Sequence, residues 1–391
     1  MGRTLEGLCE SHHLISPIDF QMITNTIYPT ILRLSDRIRE KIRWKNTAHS
    51  SIPRVYYGQR HIPSREDILS GGLVKLQDMI SKFPNYVKKP NILYLISSAL
   101  PPNPDILLHY ARKTNTPIVL NQNGVAYPAW HGAGWEETNK RLASVYTQAS
   151  FIIFQSTFCK TGAQKFLGPT LSPHTTLHNP INLQQFKPPT DNRRPEERRR
   201  LLVAGSHHFF YRVKIALDVL AILTAKGDNY KLQIAGRCCW KESEEECHKE
   251  TLAYAYAKNI AERIEITGAY TQQEAAPMFQ GSDVLIHPTY NDSCPRLVIE
   301  AMACGTPVVY SATGGTPELV AEKAGIGIKG PLDWEKICPP APEKMAQAVG
   351  EIVEKYSYFS QGAREHAVQH FQVDDWLQKH KEIFLDLLSS K

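Results

Sequence analysis

The sequence has no run of eighteen or more apolar residues among its 391 positions, so no transmembrane helix is expected. Its first twenty residues, MGRTLEGLCESHHLISPIDF, hold no long apolar core and do not read as a secretory signal. The eight cysteines lack metal-ligand spacing, and Cys238 and Cys239 are adjacent rather than set in a C-x-x-C pair. Without an export signal they are expected as reduced, mostly buried thiols. There is no Asp-x-Asp motif to hold a divalent metal, so no metal is expected. The loop at Gly71 lacks the G-x-G-x-x-G spacing that a dehydrogenase would place after its first strand. There is no dense basic stripe either, and the net charge is only +6, so no nucleic-acid partner is expected. That mild excess fits an anionic substrate or a membrane surface.

What is present is an ordinary globular composition, 42% hydrophobic and 21% charged, in a chain long enough for two domains. Residues 1–52 read as an N-terminal extension. Within it, a helix starting near Pro29 puts Ile31, Leu34, Ile38 and Ile42 on one face. Arg33, Arg37, Arg39, Lys41, Arg43 and Lys45 cover the other faces. Two readings stand: a surface helix packed on its own protein, or a basic amphipathic helix lying on an anionic membrane.

From Arg54 the pattern alternates strand and helix. Strands are expected at Val55–Tyr57, Asn91–Ile96, Ile118–Asn121 and Phe151–Gln155, with helices near 71–82, 103–114, 135–148 and 157–167. This block, 53–189, is followed by TDNRRPEERRR (190–200), a charged, proline-containing linker. A second block, 201–372, has expected strands at Leu201–Ala204, Lys231–Ala235, Ile264–Ile266, Val284–Ile286 and Val308–Tyr310. A last helix, 373–391, carries Trp376, His380, Phe384 and Leu387. The alternation implies α/β architecture with two parallel-sheet, Rossmann-like domains.

The most specific run is 283–322, DVLIHPTYNDSCPRLVIEAMACGTPVVYSATGGTPELVAE. It reads strand, loop, short helix from Pro295 to Ala303, strand, then a Gly314–Gly315 loop opening another helix. Asp292 and Glu300 are separated by seven residues around the helix start. Helix N-termini offer N–H groups to phosphate, and carboxylates accept from sugar hydroxyls.

This run resembles the donor region of glycosyltransferase family four. That family carries Glu, seven residues, Glu, then Ala-Met/Leu-Ala-x-Gly-x-Pro-Val-Val and a Gly-Gly loop. The present chain has Asp292 in place of the first Glu, then Glu300, Ala301–Val309 and Gly314–Gly315. The resemblance implies a GT-B fold, with two domains facing a cleft and the last helix returning toward the first. It also implies a retaining, metal-independent transferase using a nucleotide-sugar, UDP- or GDP-linked, in glycan or polysaccharide biosynthesis.

The same resemblance assigns candidate roles. Glu300 would hold the ribose and Asp292 the transferred sugar, and these two are the candidate catalytic residues. Donor binding would fall to Gly205, to Arg212 and Lys214 as the cationic pair for the diphosphate, to the helix start at Pro295, Arg296 and Leu297, and to Gly314 and Gly315. Arg212 and Lys214 stand two apart, against about five in the family, and do not share a helix face. The acceptor side of the cleft would hold Gly71, Gly72, Asn123, Gly124 and His131. Asn123 stands where many members have a histidine, and it can hydrogen-bond but not act as an acid or base near neutral pH. The acceptor is expected to be a glycan, a lipid-linked or a small molecule. The expected location is the cytoplasm, with peripheral contact at the inner membrane face. A catalytically silent GT-B glycan-binding or scaffold protein remains the alternative reading.

Overall fold

The structure, a computed structural model, describes residues 28–45, 50–59, 61–67, 71–190, 197 and 199–390. The first sheet holds five parallel strands in the order β1-β2-β3-β4-β5: Val55–Tyr56, Ile92–Ile96, Ile118–Gln122, Phe151–Phe154 and His174–Thr176. Apolar runs make the central strands β2, β3 and β4 because both faces are covered, whereas the edge strand β5, His-Thr-Thr, is largely exposed. All five residues of β2, ILYLI, are buried, with Ile92, Tyr94 and Ile96 on one side and Leu93 and Leu95 on the other. The second side packs against the helices at Pro104–Lys113 and Trp135–Tyr146. The first side packs against the helix Gly71–Ile80 and against the last helix, Val373–Ser389, through Trp376, Leu377 and Phe384.

Numbered in chain order, the helices are α1 (Tyr28–Arg43), α2 (Gly71–Ile80), α3 (Pro104–Lys113), the single turn α4 (Pro128–His131), α5 (Trp135–Tyr146) and α6 (Thr157–Phe166). The second half adds α7 (Phe210–Ala225), α8 (Glu244–Ala257), α9 (Gln272–Gly281), α10 (Arg296–Ala303), α11 (Pro342–Glu354), α12 (Tyr356–His370) and α13 (Val373–Ser389).

The second sheet is parallel in the order β11-β10-β9-β6-β7-β8. Its strands are β6 (Arg200–Ala204), β7 (Lys231–Ala235), β8 (Ile264–Gly268), β9 (Val284–His287), β10 (Val308–Ser311) and β11 (Gly325–Ile328). Strand order reverses between β6 and β9. At such a switch point the loops leaving the two strands turn to opposite sides and open a crevice. The loops concerned are 205–209 and 288–295.

The chain passes from the first sheet to the second through 177–199 and returns at 371–373. The two passages touch: Ile181 N–H donates to Phe371 O at 2.7 Å, and Val373 N–H to Ile181 O at 3.1 Å. A loop of the second half also reaches across, laying Trp334 flat on Phe158 with ring centroids 4.7 Å apart.

The structure goes beyond the sequence reading in several details and departs from it in one. Gly314–Gly315 opens only a single 3₁₀ turn, Thr316–Glu318, rather than a helix. Its backbone is instead tied to the loop before α10. In α1 the described members of the apolar stripe, Leu34, Ile38 and Ile42, face outward, and the charged side packs on the protein. Five of the cysteines are buried and free, while Cys239 is exposed and Cys338 half-buried; Cys9 lies outside the described residues.

Candidate functional site

The crevice holds two adjoining cavities. The larger, about 470 Å³, is walled by Asn123, Gly124, Trp130 and His131 from the first half and by Arg212, His287 and Asp292 from the second. The smaller, about 250 Å³, is walled by Gly71, Arg237, Tyr270, Arg296 and Glu300. Gly205, Ser206 and Leu297 line both. Gly205 has φ +117°, and a Cβ there would lie 2.9 Å from Leu297 Cδ2. Only glycine accepts that backbone and that approach.

Asp292 sits in a tightly held loop. Asn291 before it is left-handed at φ +53°, its N–H donating to Thr313 Oγ1 at 3.0 Å. Gly315 N–H donates to Asp292 O at 2.7 Å, and a Cβ on Gly314 would come within 2.5 Å of the same oxygen. The two glycines therefore brace the loop from behind and lie outside both cavities. His287, at the end of β9, brings Nε2 to 3.3 Å from Asp292 Oδ2. Burial pulls the Asp292 carboxyl up, but His287 and then Arg212 outweigh it and hold it below the ordinary carboxylate range.

Glu300 is 3% exposed on α10, one turn after Arg296. Arg296 Nε donates to Glu300 Oε1 at 3.1 Å, and its Nη1 to Asp78 Oδ2 on α2 at 2.6 Å. Burial raises the Glu300 pKa, opposed by Arg296. Arg65 donates to the other Asp78 oxygen at 3.2 Å. The chain thus joins its two halves through a buried acid–base cluster beside the smaller cavity. Pro295 is the residue before the first turn of α10 and lines neither cavity; Arg296 and Leu297 follow it into the helix.

The two expected cations part company. Arg212 is buried, donates from Nη1 to Ser206 O at 3.0 Å, and lies over Trp130 of the first half at 5.5 Å. Lys214 lies outside both cavities, its Nζ 2.8 Å from Asp218 Oδ2 and over Tyr254. Two residues along a helix turn a side chain through roughly 200°, so this separation follows from the spacing.

On the acceptor side, the Asn123 carbonyl oxygen accepts from Lys75 Nζ at 2.9 Å and from Gln155, and its amide donates to Ser98. Gly72 packs so close to Ser98 that a Cβ would meet Oγ at 2.5 Å. His131 Nε2 lies 2.9 Å from Thr138 Oγ1. Lys75, Asp78, His207 and His287 are site residues that the sequence reading did not select. Lys75 and Asp78 interrupt an apolar stretch directly after Gly71–Gly72, and that interruption was the available signal. His207 lines the larger cavity with Nε2 3.0 Å from Ala235 O, and burial brings its pKa down to about 4. Among the described residues, no group of three or more His, Cys, Asp or Glu side chains could hold a metal ion.

Two facing parallel-sheet domains with a ligand-sized crevice at the carboxyl ends of the strands define the GT-B architecture. Solved structures share it. Sucrose-phosphate synthase from Thermosynechococcus elongatus superposes with a TM-score of 0.62 at 16% identity, covering 81% of this chain and 77% of that one. Anabaena HepE in complex with UDP gives 0.60 at 17% identity, covering 82% of each. Residues 185–361 match the family model described as Glycosyl transferases group 1. D-inositol 3-phosphate glycosyltransferase of Mycobacteroides abscessus is 37% identical over 109 residues, 28% of this chain and 23% of that protein. Its counterpart from Mycolicibacterium gilvum is 31% identical over 109 residues, again 28% and 23%. The chain therefore matches only about a quarter of the length of these curated relatives.

Proposed function

We propose that the crevice transfers a sugar from a nucleoside-diphosphate sugar to an acceptor hydroxyl, with retention. One observation carries this reading. Asp292 and Glu300, with seven residues between them in the matched segment, open onto two adjoining cavities that share Gly205, Ser206 and Leu297. The nucleoside fits the smaller cavity, with ribose hydroxyls donating to Glu300. The sugar fits the larger, against Asp292. The diphosphate then crosses the shared wall at Gly205–Ser206, facing the first turn of α10, with Arg212 within reach.

On this reading the leaving diphosphate is stabilised by the Arg212 guanidinium and by unpaired N–H groups at the helix start. Asn123, its carbonyl engaged by Lys75 and Gln155, presents a neutral amide to the sugar. The acceptor proton leaves with the departing phosphate, and closure of the cleft keeps water from competing. Bound UDP and UDP-glucose in the Anabaena structures favour a uridine donor. The acceptor is a glycan, a lipid-linked or a small-molecule hydroxyl, reached by peripheral contact with a membrane.

The test is calorimetric binding of UDP, GDP and ADP to the protein and to Glu300→Ala. One nucleotide is expected to bind in the micromolar range and to weaken at least roughly tenfold in the variant, the loss of hydrogen bonds to a charged group. A folded protein that binds none of the three would overturn the reading in favour of a silent relative. Binding without turnover of the matching nucleotide-sugar across acceptors would do the same.

A further inference from the structure

Helix α1 is packed inside out. Arg33 pairs with Asp105, and Asn103 Nδ2 donates to Asp36 Oδ2 at 2.8 Å. Glu40 and Arg43 are buried, paired with each other and bonded to Trp44 and Tyr56. The charged side of the helix thus faces the protein. Outward lie Leu34, Ile38 and Ile42, 57%, 55% and 70% exposed. Spaced by four residues, they form one stripe. Arg37, Lys41 and Lys45, all exposed, each follow a stripe member by three residues and flank it. Both acids of the helix, Asp36 and Glu40, are on the inward side. Among the described residues, the outward face therefore carries three aliphatic and three cationic side chains and no carboxylate.

The patch continues past the helix. Arg43 Nε donates to Val87 O at 2.8 Å and Lys89 N–H to Arg43 O at 3.0 Å, which holds loop 87–89 against the helix end. There Val87, Lys88 and Lys89 are exposed.

Single exposed aliphatics need no explanation. A stripe of them, edged by long cations, is the surface of a helix lying in a bilayer interface: the aliphatics enter the acyl boundary while Lys and Arg extend to anionic headgroups. We propose that this face of α1, with loop 87–89, docks the protein on an anionic lipid surface. Charge favours lipid over a second copy of the chain, since two-fold pairing would set these cations against their equivalents. The placement also bears on the crevice. Arg33 and Asp36 bind the start of α3, just beyond the carboxyl end of β2, so the first turns of α1 lie on the side where the crevice opens. This gives the membrane contact named above a surface, and it can be separated from the transfer chemistry.

The full chain is sedimented with phosphatidylcholine vesicles, with and without phosphatidylglycerol. Binding is expected only with the anionic lipid and is expected to weaken as salt rises. Ile38→Glu and Ile42→Glu should each lower partition at least roughly tenfold, and Lys41→Ala roughly fivefold. Nucleotide binding by each variant, measured in parallel, reports folding and the crevice independently. Failure there with vesicle binding intact removes the transfer reading and leaves this one. The proposal is overturned if the intact chain ignores anionic vesicles, or if Ile38→Glu binds them equally. A concentration-dependent dimer abolished by Ile38→Glu would overturn it in favour of self-association. Vesicle binding only after removal of residues 1–27 would overturn it in favour of a face covered by its own chain.

Discussion

Lys75 holds an ammonium group in a fully buried position, with Asn121 Oδ1 at 2.8 Å and Asn123 Oδ1 at 2.9 Å as acceptors. Burial lowers its pKa from 10.5 to about 7. Between those values the unfolded chain binds more protons than the folded one, so this group makes stability rise with pH, by up to about 1.4 kcal/mol per pH unit. Lys75→Met removes the effect. The stability of the variant relative to the parent is expected to fall steadily from pH 7 to pH 10, read from urea midpoints at each pH; a constant difference would refute this. The sequence carried part of this site and not the rest. Asp292 and Glu300 stand in a run whose spacing resembles a donor loop, and Gly205 follows an expected strand, so these three could be picked out as candidates from the sequence. Lys75 left only the interruption of an apolar stretch, and a lysine after Gly-Gly looks like a solvated helix residue until Asn121 and Asn123 are placed around it.

α2 and α10 meet through Asp78, Arg296 and Glu300. Asp78→Asn leaves the Arg296 guanidinium buried with half its partners and is expected to destabilise the fold by about 3 kcal/mol. In Arg296→Met the loss of Asp78 should matter much less, and a double-mutant cycle in guanidinium chloride measures that coupling. The contact spans 218 positions of sequence, which no periodicity can reveal. Periodicity did give the two faces of α1, but not which faced inward. That was decided by Asp105, Asn103 and Tyr56, partners that exist only once the sheet has formed. α13 shows another limit. His380 on this helix is buried against Tyr94, 3.0 Å away, and its pKa falls from 6.5 to about 4 through burial. The unfolded chain takes up a proton across that window and the folded one does not, so stability drops as pH falls from 6.5 to 4. His380→Gln is expected to show a shallower drop in Tm over the same range.

At the scale of the whole chain, alternating strands and helices announced two parallel sheets, and both are present. The strand order β11-β10-β9-β6-β7-β8 was beyond the sequence, since pairing between distant strands leaves no local mark, and so was the position of the switch point. The last helix belongs to the core of the first sheet, with Phe384 fully buried against Phe83 and Tyr94. Phe384→Ala is expected to cost about 3–5 kcal/mol, and thermal melts monitored at a probe in each half would place the loss in the first. The two passages of chain between the halves run side by side, bonded at Ile181 with Phe371 and Val373. Paired in this way they are expected to act as a door pin, about which the two sheets turn relative to each other. Points on either wall then move in proportion to their distance from that pin. Opening about that pin would part Asp78 from Arg296 and Trp334 from Phe158 together. Probes placed at several heights along the crevice should therefore relax with one shared time constant and differ only in amplitude.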